Sequence, residues 1–121
     1  MELKDLEAYK LSKELSGVCW NMYETFDWQI KKIIGDQFIT AIDSVAANIA
    51  EGFGRFHYLD RNKFNYNARG SLIEGLHWLD TLHERGKITS IAYADALQKI
   101  KVLSVKLNNY ITATKDRNKN K

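Results

Sequence analysis

The sequence has no proline, only one cysteine and no long apolar run among its 121 residues. Proline interrupts helices and is common in turns. Its absence, with only seven glycines, favours long helices over a turn-rich β fold. A lone cysteine excludes an internal disulfide, and we expect Cys19 to be a reduced core residue. No segment approaches the roughly 20 apolar residues that span a bilayer, so we expect no transmembrane helix.

The first residues of the chain also lack an apolar stretch. Residues 1–7 include four charged side chains, whereas a signal peptide needs an uninterrupted apolar segment. The sequence therefore predicts no signal peptide, a cytoplasmic location and no membrane partner.

Positive charge is concentrated in two segments. Residues 115–121 carry four basic residues and one acidic residue, which equals the net charge of +3 of the whole chain. Residues 52–69 carry four more basic side chains against the single acid Asp60, interleaved with aromatic residues. Cations mixed with aromatic rings are typical of single-stranded nucleic-acid recognition. The candidates for phosphate contact or base stacking are Arg55, His57, Arg61, Lys63 and Arg69.

Apolar residues recur at spacings of three and four along most of the chain, which predicts helices. The expected helices cover residues 5–26, 28–51, 59–85 and 90–114, with Asp27 and Thr89 as N-caps and Gly86 as a C-terminal cap. Short connections favour an all-α, antiparallel up-down-up-down four-helix bundle. We expect one domain over residues 1–114, followed by a basic disordered tail over residues 115–121.

Polar residues form a stripe beside the apolar seam of the second helix, and a second polar string lies on the third helix. The sequence predicts that they meet in a network that fixes helix register, made of Ser44, Asn48, Glu51, Ser71 and Glu74. Gly52 and Gly54 are interpreted as turn residues that permit positive φ. Gly70 and Gly75, inside the third helix, indicate close helix approach. The packing face expected for that helix consists of Phe64, Ala68, Ser71, Gly75, Trp78 and Leu82.

Catalytic and metal-binding patterns are weak. Glu74 with His77 and Asp80 with His83 have the Glu-x-x-His-like spacing of di-iron bundles, but both pairs lie on one helix, and the fourth helix contains no Glu or His. Glu51 and Glu74 form the only acid–base pair considered, on the expectation that both lie on inward or interfacial faces. No activated nucleophile or phosphate-cradling loop is present. We therefore expect no enzyme activity, metal or cofactor.

Two motifs carry a family resemblance. The strings Asn48-Ile-Ala-Glu-Gly52-Phe-Gly54-Arg55 and Phe64-x-x-x-Ala68-x-Gly70-Ser71-Leu72-x-Glu74 resemble the bacterial four-helix-bundle proteins encoded in 23S rRNA intervening sequences. These proteins are similar to the accessory protein of diversity-generating retroelements, which works with a reverse transcriptase and RNA. The resemblance implies a homopentameric ring and a nucleic-acid partner.

The sequence and the resemblance together predict a non-enzymatic, oligomeric adaptor that binds structured RNA or an RNA–protein complex. The alternative is a protein-interaction scaffold that makes no nucleic-acid contact. Aromatic and aliphatic side chains dominate the energetics of subunit packing, and the candidate anchors here are Trp20, Trp28, Ile39 and Trp78.

Overall fold

Four helices account for most of the chain in the computed structural model, which describes residues 1–119. They are α1 (Glu7–Glu24), α2 (28–53), α3 (Tyr58–Glu84) and α4 (Ser90–Lys119). α1 packs against α2 and α4, and α3 packs against the same two helices. The described residues contain no β strand. The predicted all-α antiparallel four-helix bundle is confirmed.

α2 is continuous but changes its hydrogen-bonding pattern. It is α-helical over Trp28–Ile30, π-helical over Lys31–Gly35 and α-helical again over Asp36–Phe53. Within the described part of the chain, none of the helices has both the length and the apolar character needed to cross a bilayer.

The predicted caps are present. Asp27 Oδ1 accepts the Ile30 N–H at 2.9 Å, and Thr89 Oγ1 accepts the Ala92 N–H at 3.1 Å. At the end of α3, Gly86 adopts a φ of 70°. The Gly86 N–H donates to the carbonyl of His83 at 3.0 Å, and that of Lys87 donates to Leu82 at 2.8 Å. This pair of bonds is a Schellman motif, which needs a residue with positive φ.

The predicted disordered tail is wrong for residues 115–119, because α4 continues without interruption through Lys119. No proline or glycine follows Gly86, and Lys and Arg are good helix formers. Buried Thr114, whose hydroxyl donates to the Tyr110 carbonyl at 2.9 Å, anchors α4 just before the extension. α4 therefore passes the predicted domain boundary at residue 114. The rest of the predicted tail, residues 120 and 121, lies outside the described residues.

The core lies between the four helices and is mainly aliphatic. Its largest fully buried apolar side chains are Phe38, Leu15, Ile34, Ile42, Ile49, Leu79, Leu82, Leu103 and Leu107. Cys19 is buried and free, which confirms its interpretation as a reduced core residue. Burial, together with the nearby charge of Asp43, raises the pKa of the Cys19 thiol to about 12. The thiol therefore stays protonated near neutral pH and is a poor nucleophile.

Two glycines allow α2 and α3 to approach closely. A Cβ atom at Gly75 would lie 2.5 Å from Ile42 Cδ1, and one at Gly52 would lie 2.8 Å from the Arg61 carbonyl oxygen. The predicted close approach is confirmed at Gly75. It is wrong at Gly70, where an added Cβ would meet no atom within 4 Å.

The positive-φ interpretation of Gly52 and Gly54 is also wrong, because Gly86 is the only residue with positive φ among residues 1–119. Gly52 lies at the end of α2, where the contact with Arg61 explains the absence of a side chain. Gly54 has a φ of −75°, and an added Cβ would be 3.6 Å from its nearest neighbour, the Glu51 carbonyl oxygen. Gly54 is therefore compatible with a side chain.

We predict that Gly52→Ala destabilises the fold by roughly 1 to 3 kcal/mol, since the new methyl group must displace backbone atoms of α3. Gly54→Ala is the matched control two residues away. It should be neutral or stabilise the fold by roughly 0.4 to 1 kcal/mol, because alanine reduces the entropy of the unfolded chain. Urea denaturation followed by circular dichroism compares the two variants. Equal stabilities would refute the close-contact explanation for Gly52.

Candidate nucleic-acid interface

The turn between α2 and α3 and the end of α4 lie at the same end of the bundle. We call this region the basic end and define it by Arg55, Arg61, Lys63, Arg69, Lys115 and Arg117. Four of these residues were predicted from the basic segment 52–69. Lys115 and Arg117 join them because the end of α4 is an ordered helix.

Tyr66 links the two helices at the basic end. The guanidinium carbon of Arg69 lies 5.0 Å from the centre of the Tyr66 ring, and Lys115 Nζ lies 5.5 Å from it. Cations within about 6 Å of an aromatic ring are attracted by its quadrupole. Arg69 also donates from Nη1 to Asn108 Oδ1 on α4 at 3.2 Å. α3 and α4 therefore present their cations on one shared surface.

Arg61 mainly holds the turn in place. Its side chain is half-buried, and its Nε donates to the Arg55 carbonyl at 2.9 Å. Its guanidinium lies 5.2 Å from the centre of the Tyr58 ring and 5.6 Å from that of Phe53. These contacts make Arg61 a positioning residue for the turn.

Arg55 is exposed but partly neutralised. It forms a 2.7 Å ion pair with Glu51 and lies over the Phe64 ring at 4.8 Å. The cations best placed to meet a ligand are therefore the other four exposed ones, Lys63, Arg69, Lys115 and Arg117.

Aromatic and apolar groups are exposed beside these cations. Phe56 is 83% exposed and Leu59 is 71% exposed. His57 is also exposed and packs edge-to-face against Phe56, with ring centres 5.1 Å apart. The predicted combination of basic and aromatic side chains is therefore present on the surface.

The predicted interhelical polar network is not formed. The Ser44 hydroxyl donates to the Thr40 carbonyl, and the Asn48 amide donates to the Ser44 carbonyl, both at 2.8 Å within α2. Glu51 bonds to Arg55, one helical turn further along the chain. These bonds join Ser44, Asn48 and Glu51 to residues of α2 or of the turn that follows it.

The α3 side of that network is wrong because Ser71 and Glu74 do not lie on the inward stripe of α3. The buried positions are Asn62, Asn65, Ala68, Leu72, Gly75, Leu79 and Leu82. Ser71 therefore lies half-buried on the flank of α3, and Glu74 is exposed. Glu51 is also exposed, so the expectation of an inward-facing pair of glutamates is wrong.

Two buried asparagines, which the sequence analysis missed, connect α3 and α4 instead. Asn62 Nδ2 donates to the Ile111 carbonyl at 3.1 Å, and Asn65 Nδ2 donates to Asn62 Oδ1 at 3.0 Å. Asn65 Oδ1 and the Tyr110 hydroxyl are buried without a hydrogen-bond partner in the described structure. Asn62, Asn65 and Ala68 follow one another at intervals of three residues, so they share one face of the helix. This spacing is the sequence pattern that could have predicted the cluster.

Residues of the basic end affect the pKa of the Tyr110 hydroxyl. Burial raises the pKa of Tyr110, whereas Arg61, Asn65 and Arg117 act in the opposite direction. Asn65 is thus close to Tyr110, although the geometry is not that of a hydrogen bond.

The two carboxylate–histidine pairs of α3 have other environments. Glu74 and His77 are exposed. Asp80 accepts the Tyr93 hydroxyl at 2.8 Å, and the His83 ring stacks on that of Tyr93 with centres 4.1 Å apart. Across residues 1–119, no group of three His, Cys, Asp or Glu side chains has a geometry that could hold a metal ion.

Comparison with known families places this geometry in context. The pattern of the 23S rRNA-intervening sequence protein family matches residues 4–109. The chain belongs to this family. The family resemblance of the two motifs is therefore confirmed, while the relation to the retroelement accessory protein stays a prediction. No curated protein matches the chain.

A solved structure shares the fold of this 23S rRNA-intervening sequence protein. It is a protein of unknown function from the S23 ribosomal protein family of Bacteroides thetaiotaomicron, determined as a crystal structure at 1.70 Å resolution. The two chains superpose with a TM-score of 0.80 at 21% identity, covering 86% of this chain and 97% of the other. At this identity the likeness establishes the four-helix fold alone.

We predict that Asn65→Ala destabilises the fold by roughly 1 to 3 kcal/mol, since it leaves Asn62 Oδ1 buried without its donor. Asn67→Ala, on the exposed side of the same helix, should change stability by less than about 0.5 kcal/mol. Urea denaturation measures both. If the two substitutions have equal effects, the buried amide pair does not stabilise the contact between α3 and α4.

Proposed function

We propose that this family member is a non-enzymatic adaptor that binds structured RNA, or the RNA of an RNA–protein complex, through its basic end. The observation that carries the proposal is the position of Arg69 and Lys115 over the same Tyr66 ring. Because these residues come from α3 and α4, two helices contribute cations to one surface. An aromatic ring lies beside both cations, as in proteins that bind unpaired nucleotides.

The local balance of charge also supports a polyanionic partner. The six cations of the basic end are accompanied in the nearby sequence by Glu51, Asp60 and Asp116. Phosphate groups bound by Lys and Arg release counterions, which makes the affinity strongly salt-dependent. The excess of positive charge therefore favours an RNA backbone over a neutral ligand.

The family description supports the same class of partner. It relates the family to intervening sequences of 23S rRNA. An RNA partner of that origin would place the adaptor in the cytoplasm. A labelled RNA hairpin of defined sequence is therefore a suitable probe.

We predict that replacing Lys63, Arg69, Lys115 and Arg117 by glutamine weakens RNA binding. If each contacts one phosphate, the slope of log K against log salt should become shallower by up to roughly 3 for single-stranded RNA. Fluorescence anisotropy with a labelled RNA hairpin that carries a single-stranded loop, measured over a series of salt concentrations, gives the slope.

The matched control for this variant removes the same charge elsewhere. Lys13, Arg85, Lys87 and Lys101 are exposed and lie outside the basic end. Their replacement by glutamine should leave the salt slope within about one unit of the parent value, since these residues make no phosphate contact in the proposal. Equal losses in both variants would indicate nonspecific attraction and refute the proposed surface.

We also propose that the adaptor assembles into a ring, the homopentamer that the family resemblance implies. Exposed apolar groups at the opposite end of the bundle support self-association. Trp20 is 48% exposed, Trp28 is 74% exposed and Ile33 is 50% exposed. Aromatic groups of this kind are enriched at protein interfaces. Exposed Trp20, Trp28 and Ile33 also support the alternative function, a protein-interaction scaffold that makes no nucleic-acid contact.

The sequence-based choice of the other two anchors needs correction. Ile39 is 8% exposed and belongs to the core, so its selection as a subunit contact is wrong. Trp78 is half-buried, and its indole Nε1 is buried without a hydrogen-bond partner in the described structure. Neither residue is as exposed as Trp28.

We predict that native mass spectrometry of the purified protein shows a pentamer. Replacing Trp20, Trp28 and Ile33 by serine should shift the mass distribution toward smaller species, because it removes exposed apolar surface from the proposed interface. Exposed Ile91, replaced by serine, is the control. A monomeric parent protein would refute the ring, and a pentamer that binds no RNA would favour the scaffold.

A further inference from the structure

The outer face of α3 carries a groove that the bundle does not use. Its volume is about 400 Å³, and it is lined by Tyr66, Asn67, Gly70, Ser71 and Glu74. This volume lies within the range of roughly 300 to 1,000 Å³ that is typical of small-ligand sites. We propose that this groove binds one unpaired nucleobase of the RNA. The inference rests on the proposed function and specifies the part of the RNA that is recognised.

Gly70 is one of the residues that line this groove. Glycine destabilises a helix interior relative to alanine, so a mid-helix glycine needs another explanation. At Gly75 that explanation is the contact with Ile42, but a Cβ at Gly70 would meet no atom within 4 Å. The missing side chain leaves room on the outer face of α3, where an external group can approach the helix.

Tyr66 provides the surface for the base. The ring is 38% exposed and forms part of the groove. Every nucleobase has a π face, so stacking on an aromatic side chain binds unpaired bases without requiring one sequence. Arg69 and Lys115, both over the same ring, are placed to meet the phosphates on either side of that base.

The remaining groups of the groove are polar. Asn67 has an amide donor and acceptor, Ser71 has a hydroxyl, and Glu74 has a carboxylate that accepts hydrogen bonds. A base presents donors and acceptors along its edge, which such groups match. Ser71 and Glu74 belong to one of the two family motifs but take no part in the bundle core, and this groove gives them a role.

Charge favours a nucleotide over a second copy of the chain as the occupant. The groove is lined by one carboxylate, an amide and a hydroxyl, and two cations lie over the Tyr66 ring, which also lines it. A helix packed there would have to desolvate these polar groups, and burying polar groups without partners is unfavourable. A nucleotide places its phosphates next to the cations and its polar edge within the groove.

Gly70→Leu tests the inference without weakening the helix. Leucine has a higher helix propensity than glycine, and the site is open, so the fold should be retained while the groove is filled. Gly17→Leu is the matched control, because Gly17 also lies within a helix with no atom near an added Cβ. Tyr66→Ala removes the stacking surface by a different change.

The probes are a labelled single-stranded oligoadenylate RNA of about ten nucleotides and an abasic ribose-phosphate strand of the same length. We expect Gly70→Leu and Tyr66→Ala to weaken oligoadenylate binding by roughly tenfold or more, the effect of losing one stacked base. For Gly70→Leu, binding of the abasic strand should change by less than about twofold, since stacking contributes nothing to it. Gly17→Leu should match the parent with both probes.

The possible failures separate the two proposals. If the parent binds both strands equally and Gly70→Leu has no effect, the base site is refuted while phosphate binding by the basic end stands. If the parent binds neither the oligoadenylate nor the hairpin, the proposed function fails as well. If Gly70→Leu changes the native mass, the groove is a contact between copies and the inference is overturned.

Discussion

The close packing of α2 on α3 is the constraint on which the other features of this bundle depend. Gly52 admits the backbone of Arg61, and Gly75 admits the side chain of Ile42, so the two helices approach at both contacts. Protein interiors are closely packed, and even one added methyl group lowers the stability of the fold. This contact determines which stripe of α3 faces inward. It therefore also determines that Gly70 and Glu74 face outward.

Aromatic rings organise the positive charge at the basic end. A guanidinium stacked on a ring keeps its charge while its position becomes restricted. Arg61 uses such contacts, with Tyr58 and Phe53, to stabilise the turn between α2 and α3. Arg69 and Lys115 use Tyr66 to combine two helices into one surface. Arg61 thus stabilises the turn, whereas Arg69 and Lys115 are exposed and can contact a ligand.

The two buried asparagines, Asn62 and Asn65, lie between α3 and α4. Asn62 bonds to the Ile111 carbonyl, so the register of the two helices is tied to a specific amide contact. A buried polar group penalises alternative registers, because it would lose its partner there. The same register places Lys115 opposite Tyr66. The family likeness at 21% identity shows that the four-helix framework accommodates extensive sequence change.

The sequence by itself determined the local features: four helices, the caps at Asp27, Thr89 and Gly86, and the cation-rich segment 52–69. These depend on residues within one or two helical turns, where hydrogen bonds and side-chain spacing are local. It determined the rotation of α3 only in part. The predicted packing face shares Ala68, Gly75 and Leu82 with the buried stripe, but its other members, Phe64, Ser71 and Trp78, each lie one residue before the buried Asn65, Leu72 and Leu79. Both stripes have the same periodicity. Only packing against α2 and α4 separates the two stripes, and only the register of α4 on α3 brings Lys115 to Tyr66, because these contacts join residues that are far apart along the chain.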